Sequence, residues 1–202
     1  MEGRLIMQKI KITVIMMTLV LLGGCQSLNS PHTEMVYEKL SEKEEYLLNL
    51  TGNKASFYHI NNLPIDKDYE ILLTYEVYRN GEEIKKEIIT SLMNDHASKK
   101  EGTKTLAINI QEDKIRFLIG EEGAYASGSY ELEETLDQYS QSFFSSNINL
   151  EIGTEIYIYQ ANSADSTRDN VTLGIPINMD ELKRTLNAND NNVFIKLTFK
   201  EI

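Results

Sequence analysis

Tyr69-Glu70-Ile71-Leu72-Leu73-Thr74-Tyr75-Glu76-Val77-Tyr78-Arg79-Asn80-Gly81-Glu82-Glu83-Ile84 is the stretch that decides the fold. Ile71, Leu73, Tyr75 and Val77 alternate with Leu72, Thr74, Glu76 and Tyr78, the period of two that a pleated strand imposes. Asn80-Gly81 follows directly. A tight hairpin turn needs positive φ at both central residues, and Asn and Gly tolerate it best. Glu82 to Leu92 returns with Ile84, Ile88 and Leu92 spaced among charges, so a hairpin is expected here.

The period of two continues on both sides. It begins at Phe57 and includes Phe57-Tyr58-His59-Ile60. After a polar, lysine-rich loop from Asn94 to Gly102, Leu106, Ile108 and Ile110 alternate, then Ile115, Phe117 and Ile119. Gln111 to Asp113 and the Gly120–Gly123 segment are the turns, and Ala124 to Leu132 completes a three-stranded meander. Glu133 to Phe144 is open: Glu and Gln favour helix, while Ser140, Ser142, Ser145 and Ser146 oppose a long one. Glu155 to Gln160 reads as a strand with Ile156 and Ile158 on one face, Tyr157 and Tyr159 on the other. Asn162 to Asn170 reads as a polar loop, and Val171 to Ile177 as a short strand. Asp180 is expected to cap a small helix through Leu186, and Asn187 to Asn192 to turn. Val193, Ile195, Leu197 and Phe199 point inward from the last strand.

Earlier in the chain, Ser41 with Glu44 three residues on has the form of a capping box. Tyr37, Leu40, Leu47 and Leu50 are expected to share a helix face, and Gly52 suits the end. Eight or nine short strands with one or two helices predict a mainly β chain. The expected form is an antiparallel β-sandwich, immunoglobulin-like or related, in a single domain over 37–202.

The first 24 residues differ from all this. Arg4, Lys9 and Lys11 precede an uncharged, apolar run of 11 residues from Ile12 to Leu22, and Leu22-Gly23-Gly24-Cys25 closes it. A spanning helix needs about 20 such residues; a basic start, short apolar run and small residues are instead the parts of an export signal. The last four resemble the lipobox of bacterial lipoproteins. The resemblance implies signal-peptidase recognition of Leu22, Gly23 and Gly24, removal of residues 1–24, and a thioether from the Cys25 sulfur to a diacylglycerol carrying palmitate-type chains. It also implies a place in the bacterial cell envelope, anchored to the membrane on the extracytoplasmic side. One acyl chain attaches only marginally, whereas two or three hold a domain. Residues 25–36 then read as a lipidated, polar tether. Met7 begins a compact signal of its own, and the mature chain is the same from either start.

Removal of residues 1–24 leaves 178 residues and shifts the net charge from −11 to −13. Such acidity does not suit nucleic acid, which is bound through Lys and Arg, and it repels anionic headgroups. Cys25 is the one cysteine, so the lipidated domain has no thiol for a disulfide, a zinc site or a nucleophile.

No constellation fixes an activity. His32, His59 and His96 have no metal-ligand spacing, and no G-x-S-x-G elbow or S-x-x-K set appears. No metal or cofactor is expected. Glu133, Glu134 and Asp137 could form an acid/base pair, though a solvated face accounts for them as well. Asn187, Asn189 and Asn191 alternate like calcium-loop ligands but lack the Gly and bidentate Glu of such a loop. Tyr78, Tyr157 and Tyr159 are the ligand-binding candidates. Aligned exposed tyrosines stack on sugars or pack on proteins, and the plainer reading is cross-strand pairing within a sheet. The expected function is a membrane-anchored, non-catalytic binding module for an envelope protein, a peptide or a glycan. The alternative is an envelope-acting hydrolase using a carboxylate pair.

Overall fold

A computed structural model describes residues 32–94, 103–133, 135–163 and 174–202. Residues 1–31, with Leu22, Gly23, Gly24 and Cys25, and His96, Glu134 and Val171 lie outside the described residues. Among those described, the chain forms eleven strands and two helices. It is an antiparallel β-sandwich.

The six-stranded sheet contains β1 (Glu34–Glu38), β2 (Lys54–Asn61), β5 (Lys104–Ile110), β6 (Lys114–Glu121), β7 (Ala124–Glu131) and β9 (Ile148–Asn149), in the order β7-β6-β5-β2-β1-β9. The five-stranded sheet contains β3 (Tyr69–Arg79), β4 (Glu82–Asn94), β8 (Ser140–Phe143), β10 (Thr154–Ser163) and β11 (Asn191–Glu201), in the order β4-β3-β11-β10-β8. The expected hairpin joins β3 to β4. Asn80 and Gly81 have φ of 51° and 83°, the paired positive values that a type I′ turn needs.

The core lies between the sheets. Ile71, Leu73, Tyr75 and Val77 from β3 and Val193, Ile195, Leu197 and Phe199 from β11 meet Tyr58, Ile60, Leu106 and Ile108 from the facing sheet. Each fully buried side chain of this size contributes ~1.5–3 kcal/mol. With no Trp in the chain, tyrosine supplies much of the bulk, and buried hydroxyls then need partners. Tyr58 Oη donates to Phe144 O at 2.8 Å, tying the six-stranded sheet to the far end of the other.

The first helix, α1 (Glu42–Leu50), starts on the capping box: Ser41 and Glu44 bond each other's backbone N–H reciprocally. It ends with Gly52 N–H on Asn49 O and Asn53 N–H on Leu48 O, the two bonds of a Schellman cap. The expected apolar face is not formed. Tyr37 belongs to β1, which period reading missed in so short a strand, and Leu47 and Leu50 are 51% and 64% exposed. The second helix, α2 (Met179–Ala188), is capped by Asn178 rather than Asp180. Asn178 Oδ1 accepts from the backbone N–H groups of Asp180 and Glu181.

Other expectations shift. The fold opens at Glu34, ahead of residue 37, and Asn94 still belongs to β4. Asn162 and Ser163 extend β10 instead of starting a loop, and residues 174–177 are irregular rather than strand. The open segment after Glu133 ends in the short strand β8. Ile84 and Ile88 face solvent, 54% and 63% exposed, because two register shifts break the alternation of β4 and carry Ile89 and Leu92 to the core side.

Candidate functional site

The sandwich has two outer faces, one on each sheet. On the five-stranded sheet the outer positions of β3 are Leu72, Thr74, Glu76 and Tyr78. Glu76 sits across from Phe194 on β11, and Lys196 sits across from Tyr157 on β10. These strands therefore converge on one carboxylate. Glu76 is fully buried. Its Oε1 stands 2.8 Å from Lys196 Nζ and 3.3 Å from Lys86 Nζ. Its Oε2 accepts from Tyr78 Oη and from Tyr157 Oη, each at 3.1 Å. Lys196 also reaches Glu155 Oε2 at 3.2 Å. The rings of Tyr157 and Tyr78 flank the buried Phe194, with centroids 4.8 and 5.8 Å away.

The electrostatics follow from that geometry. Burial pushes the Glu76 carboxyl up, but the hydrogen bond and charge of Lys196 and the charge of Lys86 outweigh it, and the net shift is downward. Burial also pulls at the Lys196 ammonium, and Glu76 and Glu155 overcome it, so Lys196 is held above its ordinary value. Burial first and the Glu76 charge second push the Tyr157 phenol up to about 12, and the same causes raise Tyr78. Glu76 stays ionised with both oxygens engaged. Such a group orients its neighbours and does not take a proton from a substrate.

Of the three tyrosines singled out from sequence, the structure brings two together. Tyr78 and Tyr157 are half-buried, and their hydroxyls are spent on Glu76. Tyr159 is elsewhere. A bulge in β10 pairs Tyr157 with Lys196 and then Tyr159 with Ile195, skipping Ile158. Tyr159 therefore turns inward, fully buried, against Phe143. Glu76, Lys196 and Phe194 were missed. The polar position inside the β3 alternation was the available signal, but the strand order that makes Lys196 its partner is not written locally.

The outer face of the six-stranded sheet is different in kind. The row Phe57–Ala107–Leu118–Ser127 crosses β2, β5, β6 and β7 in register. Leu48 of α1 rises beside it. Together they form a groove of about 460 Å³, floored by apolar and small side chains, with Asn109 and Arg116 at its edge. A second hollow of about 290 Å³ lies on the other side of the helix, and Leu48 and Ala55 line both. No residue of α1 is buried, so the helix rests on the sheet chiefly through Leu48.

The other sequence candidates are scattered. His59 Nε2 stands 3.0 Å from Glu38 Oε2 on the surface. Exposed Glu133 is ion-paired with Lys85, and Asp137 lies at a separate hollow of about 430 Å³ that Glu112 and Lys54 also line. Asn189 is buried near the end of α2, where its backbone oxygen accepts from Asn192 Nδ2, while Asn191 Nδ2 donates to Ser163 Oγ. Among the described residues no group of three or more His, Cys, Asp or Glu is placed to hold a metal ion, and no helix is long and apolar enough to cross a membrane. Comparison with family models, curated proteins and solved structures returns no match to the chain.

Proposed function

We propose that the chain is a lipid-anchored, non-catalytic binding module of a bacterial envelope. It is tethered on the extracytoplasmic side through Cys25 and engages a partner with the outer face of its six-stranded sheet. The observation that carries the binding half is the groove beneath α1, where Phe57, Leu118 and Leu48 offer apolar surface to solvent. Exposed concave apolar surface of this kind is commonest at binding sites. The anchor half rests on Leu22-Gly23-Gly24-Cys25 and the segment before it.

The test uses the full-length protein in its own cell. Mass spectrometry should find Cys25 as the acylated N-terminus, and Cys25→Ser should release the chain from the membrane fraction. In-cell crosslinking should capture a discrete partner that Leu118→Glu, a charge placed in the groove, no longer captures. An unmodified Cys25, or capture indifferent to Leu118→Glu, overturns the corresponding half.

A second reading, hydrolysis of envelope material by a carboxylate pair, draws on Glu112 and Asp137 lining one hollow with Lys54. It requires that Glu112→Gln and Asp137→Asn each abolish a measurable cleavage of cell-wall glycan.

A further inference from the structure

Four strands end the two sheets among the described residues: β4, β8, β7 and β9. An edge strand presents unpaired N–H and C=O groups, and proteins blunt such edges with charge, bulges or shortness. Three of the four are blunted. β8 has four residues and β9 two. β4 carries Glu82, Glu83, Lys85, Lys86 and Glu87 and is broken by two register shifts. β7 has one charge, the exposed Glu131 at its last position, and no other such device. It runs eight residues in unbroken register with β6, contains no Lys, Arg or Pro, and is uncharged from Ala124 to Tyr130. Its small residues Ser127 and Ser129 form the open side of the groove.

We propose that the edge of β7, unpaired among the described residues, takes an extended segment of a partner protein by strand addition. This segment has an uncharged middle of about six residues and basic residues at its ends. The proposal rests on the binding-module reading and names the chemistry of its partner. Only an extended chain satisfies the row of outward N–H and C=O groups. The charge pattern selects among extended chains. Exposed Glu122 and Glu131 stand at opposite ends of the strand, Glu131 across from Lys114 of β6, and the middle between them is neutral. A second copy fits poorly. Antiparallel self-pairing about Ser127 seats Glu131 of each copy opposite Gly123 of the other, beside Glu122, which sets like charges together at both ends. A chain of net charge −11 meets itself with further repulsion.

The test uses the full chain and a synthetic nine-residue peptide of alternating threonine and valine with lysine at each end. Binding is read by fluorescence anisotropy and amide exchange. The lysine-ended peptide should bind and slow exchange within residues 124–131. N-methylation of alternate peptide amides, or glutamate in place of the lysines, should weaken binding tenfold or more. The doubly reversed variant Glu122→Lys/Glu131→Lys should prefer the glutamate-ended peptide. Binding indifferent to N-methylation, protection confined outside β7, or a peptide-free dimer protected at β7 each overturns the proposal. If crosslinked partners still depend on Leu118 while β7 stays unprotected, the edge proposal fails and the groove reading stands. If no partner depends on Leu118 but the peptide still protects β7, the reverse holds.

Discussion

Tyr78 and Tyr157, on strands separated by β11, donate to the same oxygen of Glu76 at the same distance, 3.1 Å. The other oxygen faces two ammonium groups. One buried carboxylate thus clamps β3, β4, β10 and β11 from outside, on the face away from the core. Breaking a buried pair leaves an uncompensated charge and costs about 3–5 kcal/mol. Glu76→Gln keeps the shape and removes the charge facing Lys196. It should lower the unfolding free energy by about 3 kcal/mol, or Tm by about 6–12 °C for a chain of this size. A calorimetric change under 1 kcal/mol would remove the clamp from the account.

The same group sets an acid limit. Its carboxyl lies below the ordinary 4.5 in the folded chain. The stability this supplies is complete above that ordinary value and is lost as pH falls through the lowered one. Denaturant titrations between pH 7 and 3 should show a steepening loss of stability, and Glu76→Gln should flatten it.

An alkaline limit follows from the phenols. Tyr157 and Tyr69 are raised from 10.0 to about 12, chiefly by burial. A raised phenol stabilises the fold fully below its unfolded value and ceases to do so as pH climbs through the folded one. Stability should therefore fall between pH 10 and 12, and Tyr157→Phe should remove part of that slope in denaturant titrations across this range.

Gly120, inside β6, has φ of +153°, and a Cβ there would stand 2.3 Å from Ala124 O and 2.8 Å from Tyr125 Cα. These are backbone atoms of the adjoining hairpin and cannot rotate away. Gly120→Ala should cost about 2–4 kcal/mol through overpacking and strain, with the fastest added exchange in residues 124–131. Unchanged exchange in β7 would show that the hairpin accommodates the methyl.

With no buried residue in α1, its stability is mostly its own caps. Ser41→Ala removes the capping hydroxyl, worth ~1 kcal/mol. Amide exchange in α1 should rise about fivefold while Tm barely moves, since local opening of so exposed a helix is separate from global unfolding. A Tm loss of several degrees would mean that α1 is packed more firmly than Leu48 alone allows.

The hairpin, the meander and the capping box were legible because each is encoded within a few neighbouring residues. Asn80-Gly81 and Ser41/Glu44 state their geometry directly. Tyr159 was not legible: the bulge at Ile158 reverses the face of every later residue in β10, and no local composition marks it. Glu76 was visible only as a polar interruption in β3. Its four partners come from Lys86, Tyr78, Tyr157 and Lys196, and only the strand order β4-β3-β11-β10 brings them together. The groove has the same origin. Phe57, Ala107 and Leu118 look like ordinary outward positions until register lines them up beneath Leu48.

The first described residues are pinned beside the edge of the six-stranded sheet. Thr33 Oγ1 donates to Asn62 O, Leu150 N–H donates to Thr33 O, and β1 then lies between β2 and β9. Ladder bonds in antiparallel pairs run perpendicular to the strands. A pull along β1 at its Glu34 end therefore loads its five registered pairs with β2 in shear, all at once, instead of peeling them singly. Were the proposed Cys25 anchor to carry load, that load would arrive along this shear direction.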